Sequence, residues 1–114
     1  MTQDAVVRAA YDAYNRRDLE AGLAQLHSSV RWDDGEGRML QGHHAVGRHW
    51  QDEWRTADAQ VAILSIRHDD ARLRLSIVLR TRPAGGPSAQ RELGNEIAFL
   101  DGLIAVMRIR PGPP

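Results

Sequence analysis

The sequence predicts an α+β domain in which three helices from the first half pack on one strongly bent antiparallel sheet. Helical periodicity runs through the first half, broken by one short strand; period two runs through the second half; and the helices gather at one end instead of alternating with strands. The 114 residues are the length of one ordinary domain. We expect a single domain over 1–110, with the "PGPP" tail, 111–114, disordered.

The first helix is read in "TQDAVVRAAYDAYNRR", where Val6, Ala10 and Ala13 form one stripe and Val7, Tyr11 and Tyr14 a second beside it. Thr2 is the expected N-cap, and Asp4 places a negative charge in the first turn, where it suits the helix dipole. "RDLEAGLAQLH" supplies Asp18 as a cap and Leu19, Leu23 and Leu26 at helical spacing, so a second helix is expected, with His27 at its end meeting free carbonyls. From Ser28 the period changes: Val30, Trp32 and Asp34 share one face of a strand, Arg31 and Asp33 the other, and "DGEG" turns the chain. Gly42 opens a third helix with Val46, Trp50 and Trp54 at i, i+4 and i+8.

In the second half Val61, Ile63 and Ser65 alternate with Ala62, Leu64 and Ile66. After the "HDD" turn, Leu73, Leu75, Ile77 and Leu79 alternate with Arg72, Arg74, Ser76 and Arg80 in a long strand with one wet face. "RPAGGPSAQ" is a loop, and "RELGNEIAFL", a "DG" turn and "LIAVMRIR" form a last hairpin.

Fifteen basic residues balance fifteen acidic ones, which gives no reason to expect a nucleic-acid or acidic-membrane partner. Every basic residue is Arg, so lysine Schiff-base chemistry and the phosphate-loop lysine are excluded. Cys is absent, which excludes thiol nucleophiles, disulfides and thiolate metal sites. Carboxylates, His, Tyr, Arg and Ser remain for any chemistry, and no cofactor is expected. "MTQDAVVRAA" does not read as a leader, and no stretch reaches the ~18 apolar residues of a membrane span. A cytoplasmic protein is expected.

The candidate functional residues cluster in "SSVRWDDGEGRML". Strand parity puts Asp34 on the face of Val30 and Trp32, while Asp33 sits opposite; a bulge would exchange them, and both could simply begin the turn. His44 and His49 are five apart, whereas two ligands on one helical face want three or four, so no metal site is expected. His49 lies one turn before Glu53, so it either pairs with that carboxylate or faces a pocket beside Asp34. The three tryptophans, Trp32, Trp50 and Trp54, outnumber what a small aliphatic core needs and suit the wall of a site for a flat hydrophobic ligand. Arg72, Arg74, Arg80, Arg82, Arg108 and Arg110 occupy outward strand positions without the interleaved aromatics of an RNA platform.

The order of elements and the segment "YNRRDLEAGLAQLHSSVRWDD", with its N-x-x-D-L…L pattern followed by a glycine and a Trp-bearing helix, resembles the nuclear transport factor 2-like superfamily, in its SnoaL-like polyketide cyclase and ketosteroid isomerase branch. The resemblance implies a cone-shaped α+β barrel with an apolar pocket at its open end, and homodimers formed through the outer sheet surface. It implies a pocket aspartate just after the first strand as general base; counting from Asn15 selects Asp34, and counting back from Gly42 selects Asp33. The isomerase's oxyanion tyrosine falls on Ala10, which has no hydroxyl, and its second carboxyl on Glu96. The resemblance therefore implies a pocket for a small hydrophobic ligand, with Tyr14, Trp32, Trp50, Trp54 and Glu96 as binding residues and Asp34, Asp33 and His49 as catalytic candidates. It leaves open isomerase, cyclase, dehydratase or hydrolase chemistry on an apolar carbonyl compound or epoxide, and equally a non-catalytic binding or dimerisation module.

Overall fold

The structure is a computed structural model and describes residues 1–111. Helices α1 (Gln3–Arg16), α2 (Leu19–Leu23) and α3 (Gly42–Thr56) pack on one face of a six-stranded sheet ordered β2-β1-β6-β5-β4-β3. Its strands are β1 (Leu26–Asp33), β2 (Met39–Gln41), β3 (Gln60–Asp69), β4 (Arg72–Thr81), β5 (Ala89–Leu100) and β6 (Leu103–Pro111). The architecture is the expected α+β one, but the sheet is mixed and does not close. β1 runs parallel to β6, because α3 and the β3–β5 meander intervene before the chain returns beside its first strand.

α1 begins where its cap chemistry starts it, with the Ala5 N–H donating to Thr2 Oγ1 at 3.1 Å, and ends at Arg17 in the left-handed region. Its two apolar stripes are both buried, from Val6 and Val7 to Ala13 and Tyr14. α2 is shorter than its leucine spacing predicts: it ends at Leu23, and Leu26 and His27 belong to β1. Gly22 explains how tightly α2 sits, since a Cβ there would lie 2.8 Å from the Trp50 ring. His27 therefore meets Ser29 and Asp101, not the carbonyls of a helix end.

The inner sheet face carries Leu73, Leu75 and Ile77 of β4, Leu93, Asn95 and Ile97 of β5, and Ile104 and Met107 of β6, all buried against the helices. In β3 the register shifts between Ile63 and Ser65, so Leu64 becomes an extra, exposed residue and Ile66 rejoins the inner face with Val61 and Ile63. The β3 edge is engaged by α1: Asn15 Nδ2 donates to the Val61 carbonyl and Asn15 Oδ1 accepts from the Val61 N–H, each at 2.8 Å. Pro111 still pairs with Leu93, one residue inside the segment expected to be disordered, and 112–114 lie outside the described residues. No helix among the described residues is long and apolar enough to cross a membrane.

Candidate functional site

Between the helices and the inner sheet face lies an open cavity of about 280 Å³, close to the lower end of the range of small-molecule sites. Trp32 of β1 and Trp50 of α3 meet edge to face at 5.4 Å and form one wall with Tyr14, whose ring is 5.9 Å from that of Trp50. Ile77, Leu79 and Met107 of the sheet form the wall opposite the helices.

The polar groups enter this apolar space from three directions. α1 contributes Tyr11 and Tyr14. Tyr11 donates its hydroxyl to Asn95 Oδ1 at 2.7 Å in a buried pair, and burial raises its pKa. Tyr14 donates to Glu53 Oε1 at 3.1 Å, and burial together with the neighbouring Glu53 charge pushes the phenol up, so it stays a proton donor. α3 contributes His49 and Glu53, one turn apart, with His49 Nε2 3.4 Å from the same Glu53 Oε1. Burial raises the Glu53 pKa and Glu36 adds to that, while His49 and the Tyr14 hydroxyl act against it.

The turn after β1 contributes both aspartates. Gly35 and Gly37, at φ 81° and 93°, bend the chain where side chains would be strained. This turn gives the two carboxylates different work. Asp33 Oδ1 accepts from the Gly35 N–H at 2.8 Å and its Oδ2 from the Ile109 N–H at 3.0 Å, tying the turn to β6. Asp34 Oδ1 accepts from the N–H groups of Glu36 at 2.7 Å and Arg38 at 3.1 Å. Its Oδ2 lies 3.6 Å from the exposed Arg38 guanidinium, and the carboxylate side chain is only 9% exposed. The Glu36 N–H bond leads in lowering its pKa, more than burial raises it, so this carboxylate is held ionised.

The cavity brings together Asp33, Asp34, His49, Tyr14, Trp32 and Trp50 of the sequence-predicted set. Two residues do not belong to it. Trp54 stands behind the wall, 5.5 Å from the Tyr14 ring and under the Arg17 guanidinium at 5.7 Å. Glu96 points to the outer sheet face, because β5 alternates and Asn95 and Ile97 take the inner positions; there it is bound by Arg72, with Arg74 at 3.6 Å and Arg110 at 3.8 Å. Sequence reasoning missed Glu53 as a member of the site, along with Tyr11, Asn95, Glu36 and Arg91. The i, i+4 spacing of His49 and Glu53 was the available signal, and it reads as an ordinary helical pair until α1 places Tyr14 against it.

Residues 7–107 match the family of SnoaL-like domains. The chain belongs to that family. No curated protein sequence matches it. Among solved structures, it is similar to a nuclear transport factor 2-like protein of unknown function from Burkholderia pseudomallei, at 24% identity and a TM-score of 0.84, over 96% of this chain and 91% of that one. A putative polyketide cyclase from Xanthomonas campestris is 24% identical, with a TM-score of 0.81 over 94% and 87% of the two chains. A Mycobacterium tuberculosis protein in complex with estradiol-17β-hemisuccinate is 18% identical, with a TM-score of 0.83 over 92% and 89%.

Proposed function

We propose that the chain is a cofactor-free enzyme that binds a small hydrophobic carbonyl compound or epoxide in the cavity and acts on it by proton transfer, as an isomerase, cyclase, dehydratase or hydrolase. One observation carries this reading: an aromatic cavity is lined by an ionised carboxylate, a histidine, a second carboxylate and a phenol, as Asp34, His49, Glu53 and Tyr14. Proton transfer to or from a bound molecule needs groups that differ in basicity, and this cavity holds them. In this reading Trp32, Trp50 and Tyr14 hold the ligand's apolar body, Asp34 and His49 face its reacting end, and Asp33 shapes the turn. Solved relatives of the same fold with a steroid ester or a cyclase designation lend the pocket reading support.

The test is a panel of apolar ketones, enones and epoxides, screened for quenching of tryptophan fluorescence and then for product by mass spectrometry. At least one compound is expected to bind and be converted without added metal or nucleotide. A ligand that binds and is recovered unchanged across the panel would favour the second reading, a non-catalytic binding module, which the backbone capping of Asp34 and the absent hydroxyl at Ala10 also suit.

We further propose a homodimer through the outer sheet face, where Ser76, Val78 and Val106 lie among Arg72, Arg74, Arg108 and Arg110, a mixture suited to a moderately polar interface. Light scattering should give twice the chain mass of 12.7 kDa; a single species at the chain mass would remove the idea.

A further inference from the structure

Two carboxylates of the cavity, Asp34 and Glu53, are held in unlike ways. Asp34 sits in a turn whose own N–H groups claim its Oδ1 twice, with a guanidinium beside its Oδ2. Each of these contacts favours the anion, and a carboxylate so favoured is a weak proton acceptor. Glu53 projects from the rigid helix α3 and lines the same cavity. Its Oε1 is held by the Tyr14 hydroxyl and lies near His49 Nε2, while its Oε2 has no hydrogen-bond or ion-pair partner among the described residues. One oxygen is thus positioned by its neighbours and the other is unengaged.

We propose that Glu53 is the proton acceptor of this site, with Asp34 as a fixed anion and Tyr14 as the residue that positions the accepting carboxylate. The proposal rests on the proton-transfer reading. The basicity of Glu53 agrees with the geometry: desolvation raises its pKa, whereas Asp34 is lowered. The charged and titratable groups acting on Glu53 are His49 on α3, Tyr14 on α1 and Glu36 of the β1–β2 turn, while Tyr11, Asp33, Asp34 and Arg91 line the same cavity. Tyr14 remains protonated, so its hydroxyl steadies the carboxylate without supplying the accepted proton.

The test uses 5-nitrobenzisoxazole, a flat apolar probe whose opening needs only a base. Glu53 would take the proton from C3, the C–H electron pair would become part of the nitrile, and the N–O bond would break to release the coloured nitrophenolate. The wild-type protein is expected to bind the probe, seen as tryptophan quenching, and to open it faster than free acetate does. Glu53→Gln, which keeps an acceptor for Tyr14, is expected to lower the rate about a hundredfold, with Glu53→Asp in between and serving as the test should the first variant fail to fold. The acidic limb of the pH–rate profile should have a midpoint above 4.5, the ordinary value for this carboxyl. It should persist in His49→Asn and move to higher pH, because the imidazolium charge that lowers Glu53 is gone. It should also persist in Asp34→Asn at whatever rate remains. Rate loss in Asp34→Asn with Glu53→Gln retaining wild-type turnover would overturn the assignment while leaving the proton-transfer reading standing. A limb that vanishes with His49 would overturn it in the same way, and a probe that binds without opening would also overturn it. A cavity that binds neither this probe nor any compound of the panel would defeat the pocket reading itself.

Discussion

On the outer face of the sheet, the Glu96 side chain is 7% exposed and is surrounded by Arg72, Arg74 and Arg110, which are all partly in water. On the inner face, Glu53 is half-buried against a phenol, an imidazole and aromatic rings, with no arginine bonded to it among the described residues. Both glutamates leave bulk water, but only the first has permanent positive charge to replace the water. A carboxylate ringed by guanidinium groups has its charge balanced by them and serves to join β4, β5 and β6. A carboxylate whose neighbours are neutral or titratable keeps its proton equilibrium within reach of solution pH. The aspartates of the β1–β2 turn add a third arrangement, in which backbone N–H groups do the work of the arginines.

The largest effect that tests this contrast is expected on the outer face. Glu96→Ala removes the shared anion from three guanidinium groups, and because those side chains are more than a third exposed they regain part of their hydration. The expected cost is about 2 kcal/mol, to be read from the midpoint of urea unfolding. An unchanged midpoint would mean that the arginines are indifferent to their carboxylate. In the cavity, Asp34 and Glu53 should behave with opposite sign. Asp34 is lowered in the folded state, so it stabilises the protein above about pH 3.8 and loses that contribution as pH falls through its lower folded value. Asp34→Asn, which still offers an oxygen to the two N–H groups, should cost about 1 kcal/mol at neutral pH and progressively less in acid.

The smallest effect belongs to Glu53. Its pKa is raised, so the folded state holds the proton more tightly than the unfolded one and stability falls as pH rises from 4.5 through the raised value. Glu53→Gln should therefore melt at or slightly above the wild-type temperature at neutral pH, with the difference disappearing below pH 4.5. Melting curves at pH 4 and 7 on both variants check the pair, and a Glu53→Gln variant that is markedly less stable only at neutral pH would reverse the assigned sign.

The fold was largely legible because two hydrophobic periods meet at a clear boundary, and because Val6, Ala10 and Ala13 can share a buried stripe only on a helix. Three features were not. Leu19, Leu23 and Leu26 keep helical spacing whether or not Leu26 is helical, so local pattern cannot see that the sheet claims it through Ile104. The extra residue at Leu64 inverts which side chains of β3 point inward, and a strictly alternating reading has no place for it. The parallel pairing of β1 with β6 joins strands separated by most of the chain. For the site, parity brought Asp34 to the cavity but said nothing of the N–H groups that a glycine-rich turn would aim at it. Glu96 was misplaced by one strand position, which in a sheet exchanges cavity for outer surface. Glu53 was visible only as a partner of His49, since its role depends on α1 bringing the Tyr14 hydroxyl to it.

The amide of Asn15 has a consequence beyond the packing of α1. β3 ends the sheet, and a ten-residue edge strand carrying an exposed Leu64 is a template on which other chains could align. By bonding both backbone groups of Val61, Asn15 imitates a neighbouring strand for one residue and occupies the place where an intruding chain would begin to zip. A few residues further on, the bulge at Leu64 breaks the flatness such zipping needs. This polar side chain thereby makes the β3 edge a poorer template for such alignment.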